Sequence, residues 1–551
     1  MKTVIAPLYP ARITIVIVGV AFLLTFSFFL FLQAEPVFPD PDSFYHLKIA
    51  ELIGERGVVQ DFPWLTFTGL THYYTDQHFL YHVFLAPFVV FFDPVFGVKF
   101  ATVFINAAFF ALCAAFLIRF RVRWWWAFLG ILLVTNPFLF RINLVKAPGL
   151  SLILLCIGLW LLFSRRRWPL AAVAFLYVWT YGGFVLLGVL GLVFCLADAL
   201  VHWHQTTVIA SLFRRITPRK PRGSFLQRKT MLPVLLIGIG LLLGLLINPY
   251  FPQNFFFYWQ QLVQIGIVNF QDVVNVGGEW HPYGFVELLA NTVFVSIAVL
   301  LGLVTFFVTR RRQSPESWTL LILAVFFFLI TLKSRRYVEL YVPFAVLFSA
   351  FALRDGVTQS FWTLVRGAWN ALGRRTGLAT LLALYVAGAA LMVIIRDERQ
   401  LIRDLRSGFR STELLGVSRW IAEHTPENSI IVHSDWDEFP LLFAHNTRNR
   451  YIVGLDPTFM YQYDRVLYQR WADLTSGVRA DDAENIITQE LQSTTVLVTK
   501  DHQAFDRIME RQSGFMLVYE DDEAKVYQRN THVLPEPRPK EPLDEDSDLA
   551  P

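Results

Sequence analysis

Apolar runs close to bilayer-crossing length recur through the first 395 residues, and they constrain this chain more than any other feature. A helix needs about 20 predominantly apolar residues to span the hydrocarbon core, where only its own carbonyls can satisfy its N–H groups. About eleven such segments are legible, near 12–33, 97–118, 124–139, 149–164, 169–182, 184–202, 231–248, 284–308, 318–332, 338–353 and 378–395. Segment 79–93 is apolar but short, and counting it as a span breaks the charge pattern described below. It reads as a helix in the outer interface. A chain that is 55% hydrophobic, with mean hydropathy +0.45, has the composition of a polytopic α-helical membrane protein. The first run lacks a small-residue cleavage site and reads as a retained anchor. Cys113, Cys156 and Cys195 all fall inside apolar runs, which points to packing and away from a disulfide or zinc framework.

Positive charge sets the orientation. Lys2 and Arg12 precede the first helix, and Arg119, Arg121 and Arg123 follow the second. Arg165 to Arg167 follow the fourth, and the loop 203–230 is rich in Arg and Lys. Arg310 to Arg312 follow the eighth, and Arg366, Arg374 and Arg375 precede the last. With eleven spans all these clusters share one side, which the positive-inside rule makes the cytoplasm. The net charge of +4 therefore reads as topology and not as nucleic-acid affinity. Loops 34–96, 140–148, 249–283 and 333–337 then face outward, as does everything after 396.

Three regions follow: a transmembrane domain 1–395 with a long first external loop 34–96, a soluble extracytoplasmic α/β domain 396–530, and an acidic, Pro-rich tail 531–551 expected to be disordered. In 396–530, helical patterns at 411–424, 461–472, 481–492 and 502–511 alternate with β-rich runs at 429–433, 450–454, 495–499, 515–519 and 524–528. That alternation predicts a small mixed or parallel sheet. No internal repeat, P-loop or dinucleotide fingerprint is present.

The external loops hold the chemistry. Asp40 and Asp42 lie at the exit of the first helix, Arg141 and Lys146 beyond the third, and Glu279 before the eighth. Lys333, Arg335 and Arg336 are three cations on the outward side, against the general asymmetry, and need a local partner. Taken singly, an acid after a membrane helix is usually a solvated loop residue, and an Arg at a helix end usually snorkels to headgroups. His46 and His78 are weak candidates for metal ligands. Taken together, the cations suit a lipid-linked phosphate or pyrophosphate. The acids opposite them suit a divalent cation, or the proton of an incoming nucleophile.

Four stretches carry a family resemblance. They are Asp42-Ser43-Phe44-Tyr45-His46; Gly278-Glu279-Trp280-His281-Pro282; Arg336-Tyr337-Val338-Glu339-Leu340-Tyr341-Val342-Pro343; and Thr425-Pro426-Glu427 leading into Ser434-Asp435-Trp436-Asp437-Glu438-Phe439. In this order they resemble a membrane-embedded C-type glycosyltransferase (GT-C), in particular the catalytic subunit of oligosaccharyltransferase in its bacterial and archaeal single-subunit form. The resemblance covers about residues 12–460.

It implies a GT-C fold and transfer of a sugar or oligosaccharide from a polyprenyl-(pyro)phosphate carrier to an acceptor (protein, lipid or glycan) on the outer face of the cell membrane. Asp42 and Glu279 would be the catalytic carboxylates with Asp40 beside them, and would also hold any divalent metal, Mg or Mn. Arg336, Arg141, Lys146 and Arg335 would hold the donor phosphate, and Trp436 and Asp437 would bind the acceptor. Two departures bear on this. Arg141 is followed by Ile-Asn-Leu-Val-Lys where the family carries acidic metal ligands, so metal-dependent and metal-free chemistry both stay open. The WWDYG acceptor motif is altered at Asp435 and at Glu438-Phe439. Three alternatives follow: a transferase using a polyprenyl-monophosphate sugar, a transporter or flippase for a lipid-linked glycan, and a non-catalytic scaffold. The ionisable residues gather at the outer rim and not at the bilayer midplane, which disfavours transport.

Overall fold

The computed structural model describes residues 8–213, 228–268, 270–357 and 376–530. Lys2, the loop cations Arg214 to Arg222, Arg366, Arg374, Arg375 and the tail expected at 531–551 lie outside the described residues.

Two helices form the centre of the helical part. Pro94–Arg119 is buried along most of its length, and Val338–Gly356 more fully still. Both are apolar on nearly every face, which suits a helix enclosed by others. Pro94–Arg119 starts where Asp93 accepts the Phe96 N–H at 3.0 Å and Pro94 has no N–H to satisfy. Ala11–Leu32 packs against it, while Pro315–Lys333 and Val293–Val308 pack against Val338–Gly356. The outer helices turn large apolar side chains away from the protein; Ile15 is 71% exposed, Leu300 62% and Leu381 65%. Such a surface calls for lipid. Among the described residues five helices are long and apolar enough to cross a membrane, or up to seven if each of two bent pairs counts as one.

Those two pairs correct the expectation of unbroken helices at 124–139 and 284–308. Trp125–Leu133 and Asn136–Asn143 meet at 73°, where Pro137 has no N–H to continue the helical ladder. Phe285–Asn291 and Val293–Val308 meet at 99° around Thr292, whose backbone leaves helical geometry and whose hydroxyl donates to the Leu288 carbonyl at 2.7 Å. The acidic stretch after the first helix is also more ordered than a loop. Asp42 opens the helix Asp42–Arg56, in the first turn where unpaired N–H groups favour a carboxylate. Gly57, at φ 79°, ends it.

A five-stranded mixed sheet occupies the C-terminal part. Its spatial order is Arg450–Tyr451, Ile430–Val432, Thr495–Thr499, Ala524–Arg529, Phe515–Glu520. The first three strands run parallel and the last two join antiparallel. Ile431 stands opposite both Tyr451 and Thr495, so the central β-branched and aromatic side chains stack in one layer.

The segment around Leu65 fastens this sheet to the first external loop. Leu65 bridges Tyr451 in parallel, and the Tyr451 N–H donates to the Trp64 carbonyl at 2.7 Å. The Trp64 indole N–H donates to the Thr447 carbonyl at 2.8 Å. Val37–Phe38 pairs antiparallel with Phe409–Arg410. Asp42–Arg56 packs on the helix Phe439–His445, and the fully buried Phe443 meets Trp64 at 4.9 Å and Phe62 at 5.6 Å between ring centres. Truncating that ring removes contacts on both sides of the junction. Phe443→Ala should cost about 3–5 kcal/mol, read as a lower unfolding temperature and faster proteolysis near residues 407–413. An unchanged melting temperature and digestion pattern would mean that the junction is held elsewhere.

Candidate active site

Six residues singled out from the sequence meet in one polar cluster. Lys146 sits in the short link between Asn136–Asn143 and Pro148–Phe163. Its Nζ lies 2.6 Å from Asp40 Oδ2, 2.8 Å from Asp42 Oδ2 and 4.0 Å from Glu279 Oε2. Arg141, on the inner limb of the first bent pair, donates through Nε to Glu339 Oε2 at 2.9 Å and through Nη1 to Glu279. Arg336 Nη1 is 3.6 Å from Glu279 Oε1, and its guanidinium lies over the Trp280 ring at 4.2 Å. The Glu279 loop is pinned by the Ser334 hydroxyl on the Glu279 carbonyl at 2.9 Å and the Arg335 N–H on the His281 carbonyl at 3.0 Å. Charges taken out of water must be paired, and here acids and bases alternate through the cluster.

The environment drives the two principal carboxyls apart. Burial raises the Asp42 carboxyl above its ordinary 3.8, opposed by Lys146 and reinforced by Asp40. Burial alone would raise Glu279 too, but Arg141, Lys146 and Arg336 outweigh it and hold its carboxyl well below the usual range. Burial would likewise discharge Lys146, yet Asp40, Asp42 and Glu279 hold its ammonium above the ordinary value. Glu279 is thus a fixed anion, and Asp42 is the carboxylate with the greater proton affinity. Such separation lets two acids serve two roles.

Two cavities meet at this cluster. The larger, about 830 Å³, is lined by Arg141, Arg335, Arg336 and Arg396 and by the acids Glu279, Glu287, Asp397 and Asp404, among others. The smaller, about 130 Å³, lies on the Asp42 side with His46, Lys146, Tyr181, Asp456 and Phe459. Arg141, Glu279 and Arg336 line both. Arg335 stands apart from the cluster, half exposed, with Glu287 at 3.4 Å and the Tyr283 ring beneath it.

Trp436 and Asp437 line neither cavity. The Trp436 indole lies against Gly277, where an added Cβ would come within 3.4 Å of the ring, so it packs on the loop that carries Glu279. Asp437 is pushed up to about 7 by burial and by Asp435 and Glu438.

Three groups escaped the sequence reading. Glu339 is buried and bonded to Arg141; an acid buried in the first turn of an apolar helix is costly without a partner, and that is its only signal. Asp456, pushed up to about 6 by burial, faces the smaller cavity from a turn of the C-terminal part. His82 is fully buried between Asp76 and His46.

The donor set does not fit a divalent metal. Among the described residues no three His, Cys, Asp or Glu side chains converge as a metal-binding group. The point between Asp40 and Asp42 is taken by the Lys146 ammonium.

No family model and no curated protein matches the chain. Solved structures do. Archaeal oligosaccharyltransferase AglB from Archaeoglobus fulgidus, in complex with an inhibitory peptide and a dolichol-phosphate, aligns with TM-score 0.54 at 13% identity over 93% of this chain and 75% of that one. The same enzyme in complex with Zn and sulfate gives 0.50 at 12% identity over 92% and 73%. ArnT from Cupriavidus metallidurans bound to undecaprenyl phosphate gives 0.50 at 14% identity over 95% and 99%. At these identities the likeness establishes the fold alone: the chain shares the fold of AglB and ArnT.

Removing one member of the cluster should strand its partners. Arg141→Met leaves Glu339, 2% exposed, without its cation, and should cost about 3–5 kcal/mol. Arg141→Met with Glu339→Gln should recover much of that. Thermal unfolding of the detergent-solubilised protein measures both, and a single variant as stable as wild type would contradict the pairing.

Proposed function

We propose that the chain is a glycosyltransferase that moves a sugar or oligosaccharide from a polyprenyl-(pyro)phosphate carrier to an acceptor on the outer face of the cell membrane. The observation that carries this reading is the meeting of two cavities at one cluster, with Arg141 and Arg336 facing both and the proton-accepting carboxylate of Asp42 facing the smaller. The donor phosphate occupies the larger cavity against Arg336, Arg141 and Arg335. The acceptor enters the smaller one. Its nucleophilic atom bonds to the anomeric carbon, the bond from that carbon to the phosphate oxygen breaks with its electrons going to the phosphate, and Asp42 takes the acceptor's proton. Arg336 and Arg141 stabilise the phosphate as charge develops. Glu279, held ionised, orients both arginines. The segments near residues 12–395 supply about eleven spans, the part from 396 to 530 lies outside the cell, and Trp436 and Asp437 lead an acceptor toward the Glu279 loop. The dolichol-phosphate bound to AglB and the undecaprenyl phosphate bound to ArnT support the donor class.

This reading makes a pH prediction. Asp42 must be unprotonated, so kcat/KM should fall as pH drops through its raised pKa, at a pH above that of an ordinary carboxylate. Asp40→Asn removes a neighbouring anion and a competitor for Lys146, so the acid limb should move to lower pH. Asp42→Asn should lower kcat at least ~100-fold. Transfer from a labelled polyprenyl-linked sugar extract by the purified, folded protein measures all three, and full activity in Asp42→Asn would refute the assignment.

The monophosphate-linked donor is a second reading favoured by Lys146, which supplies between Asp40 and Asp42 the positive charge a metal would bring. Transfer should therefore survive EDTA. Lys146→Met should leave two facing carboxylates and create a Mn²⁺ site, detected by electron paramagnetic resonance, that wild type lacks. Mn²⁺ bound equally by both proteins would overturn the role given to Lys146.

A further inference from the structure

Behind the smaller cavity runs a buried chain that the proposed mechanism does not use. Asp76 Oδ2 meets His82 Nδ1 at 2.7 Å, and His82 Nε2 meets His46 Nδ1 at 2.7 Å. All three side chains are at most 5% exposed. Asp76 is itself anchored, its Oδ1 accepting the His78 N–H at 2.9 Å. His46 lines the smaller cavity and lies one helical turn beyond Asp42 on Asp42–Arg56, on the same face.

The chain has a direction. A carboxylate oxygen accepts, so His82 donates to Asp76 from Nδ1, and in the tautomer with its one proton there Nε2 carries a lone pair. His46 must then donate through Nδ1, which leaves the lone pair of His46 on Nε2. No hydrogen bond to that atom is made among the described residues.

We propose that Asp76 and His82 fix His46 as a hydrogen-bond acceptor in the acceptor cavity, so that this site selects an acceptor bearing a second O–H or N–H group beside the one that is glycosylated. The proposal rests on the transferase reading above and names the acceptor's chemistry. His46 touches substrate; His82 and Asp76 are positioning residues. Burial together with His82, His78 and Lys146 holds the His46 imidazolium well below the ordinary range, and burial pushes His78 down to about 3, so both rings are neutral near pH 7. The groups facing His46 are His78, Tyr81 and His82 from the segment 78–82, with ring centres 5.0–5.5 Å away. Tyr45 adjoins it on its own helix, and Lys146 adds charge from the opposite link. A site built to accept a hydrogen bond rejects a ligand that lacks the donor, because the buried lone pair is then left unpaired.

Diethyl pyrocarbonate acylates unprotonated imidazole nitrogen, so it probes the tautomer without any substrate. Mass spectrometry of the purified protein should find His46 modified at pH 6–8. Asp76→Asn, checked for folding by its melting curve, should slow that modification. A protected His46, or an equal rate in folded Asp76→Asn, overturns the assigned tautomer. In the transfer assay His46→Leu should raise the acceptor KM about tenfold or more with the donor KM unchanged, and His46→Gln, which restores an acceptor oxygen, should fall between. Equal shifts for donor and acceptor, or none, overturn the inference while the transferase reading stands. A wild-type protein that makes no product while folded fells that reading and this one with it.

Discussion

Everything in the candidate site depends on one buried ammonium. Lys146 lies within 2.8 Å of both Asp40 and Asp42, and without it two carboxylates would face each other in a half-buried position. At such separations two like charges in a medium less polarisable than water repel by several kcal/mol. The Lys146 ammonium removes that repulsion while leaving the Asp42 carboxyl above its ordinary range. Arg141 does for Glu339 and Glu279 what Lys146 does for the two aspartates. The two bridged acid–base groups touch through the contact from Lys146 to Glu279, which makes the wall between the cavities one electrostatic unit.

That unit is rigid because its members come from elements that cannot move independently. Arg141 is carried on a helix turned inward by the bend ahead of it, and Glu279 on a loop pinned to the Ser334–Arg336 segment. Asp42 begins a helix whose far face packs on the C-terminal part. Catalytic constellations need such support, since a carboxylate displaced by an ångström no longer meets its proton.

Much of this is legible in the sequence. Asp42, Glu279, Arg141, Lys146 and Arg336 stand out because each is an ionisable residue that breaks a local apolar or charge pattern, and the structure brings all five together. Lys146 in particular is a cation where the resemblance implied an acid, and in the structure it lies between Asp40 and Asp42. The bends at 133–136 and 291–293 were not legible as such. Hydropathy measures length and not direction, so a bent pair and a straight span score alike. Asp456 reads as an ordinary turn residue, since only tertiary contact turns it toward the cavity. His82 lies in an apolar run, where a histidine is usually a satisfied core residue. Its spacing from His78 and Asp76 could have suggested one helical face, but no periodicity reveals which side of that face meets His46.

The strand-like contact between Leu65 and Tyr451 has a consequence for how the molecule comes into being. The Trp64 side chain finds its partner 383 residues later in the chain. Synthesis at about 5–20 residues per second makes that delay on the order of tens of seconds. Throughout it the nascent first loop lacks the surface that orders it, so the wall bearing Asp42 is completed only when the carboxy-terminal third has emerged. In a ribosome-bound or truncated chain that wall therefore lacks its partner surface, and the polar cluster is completed as the last act of assembly.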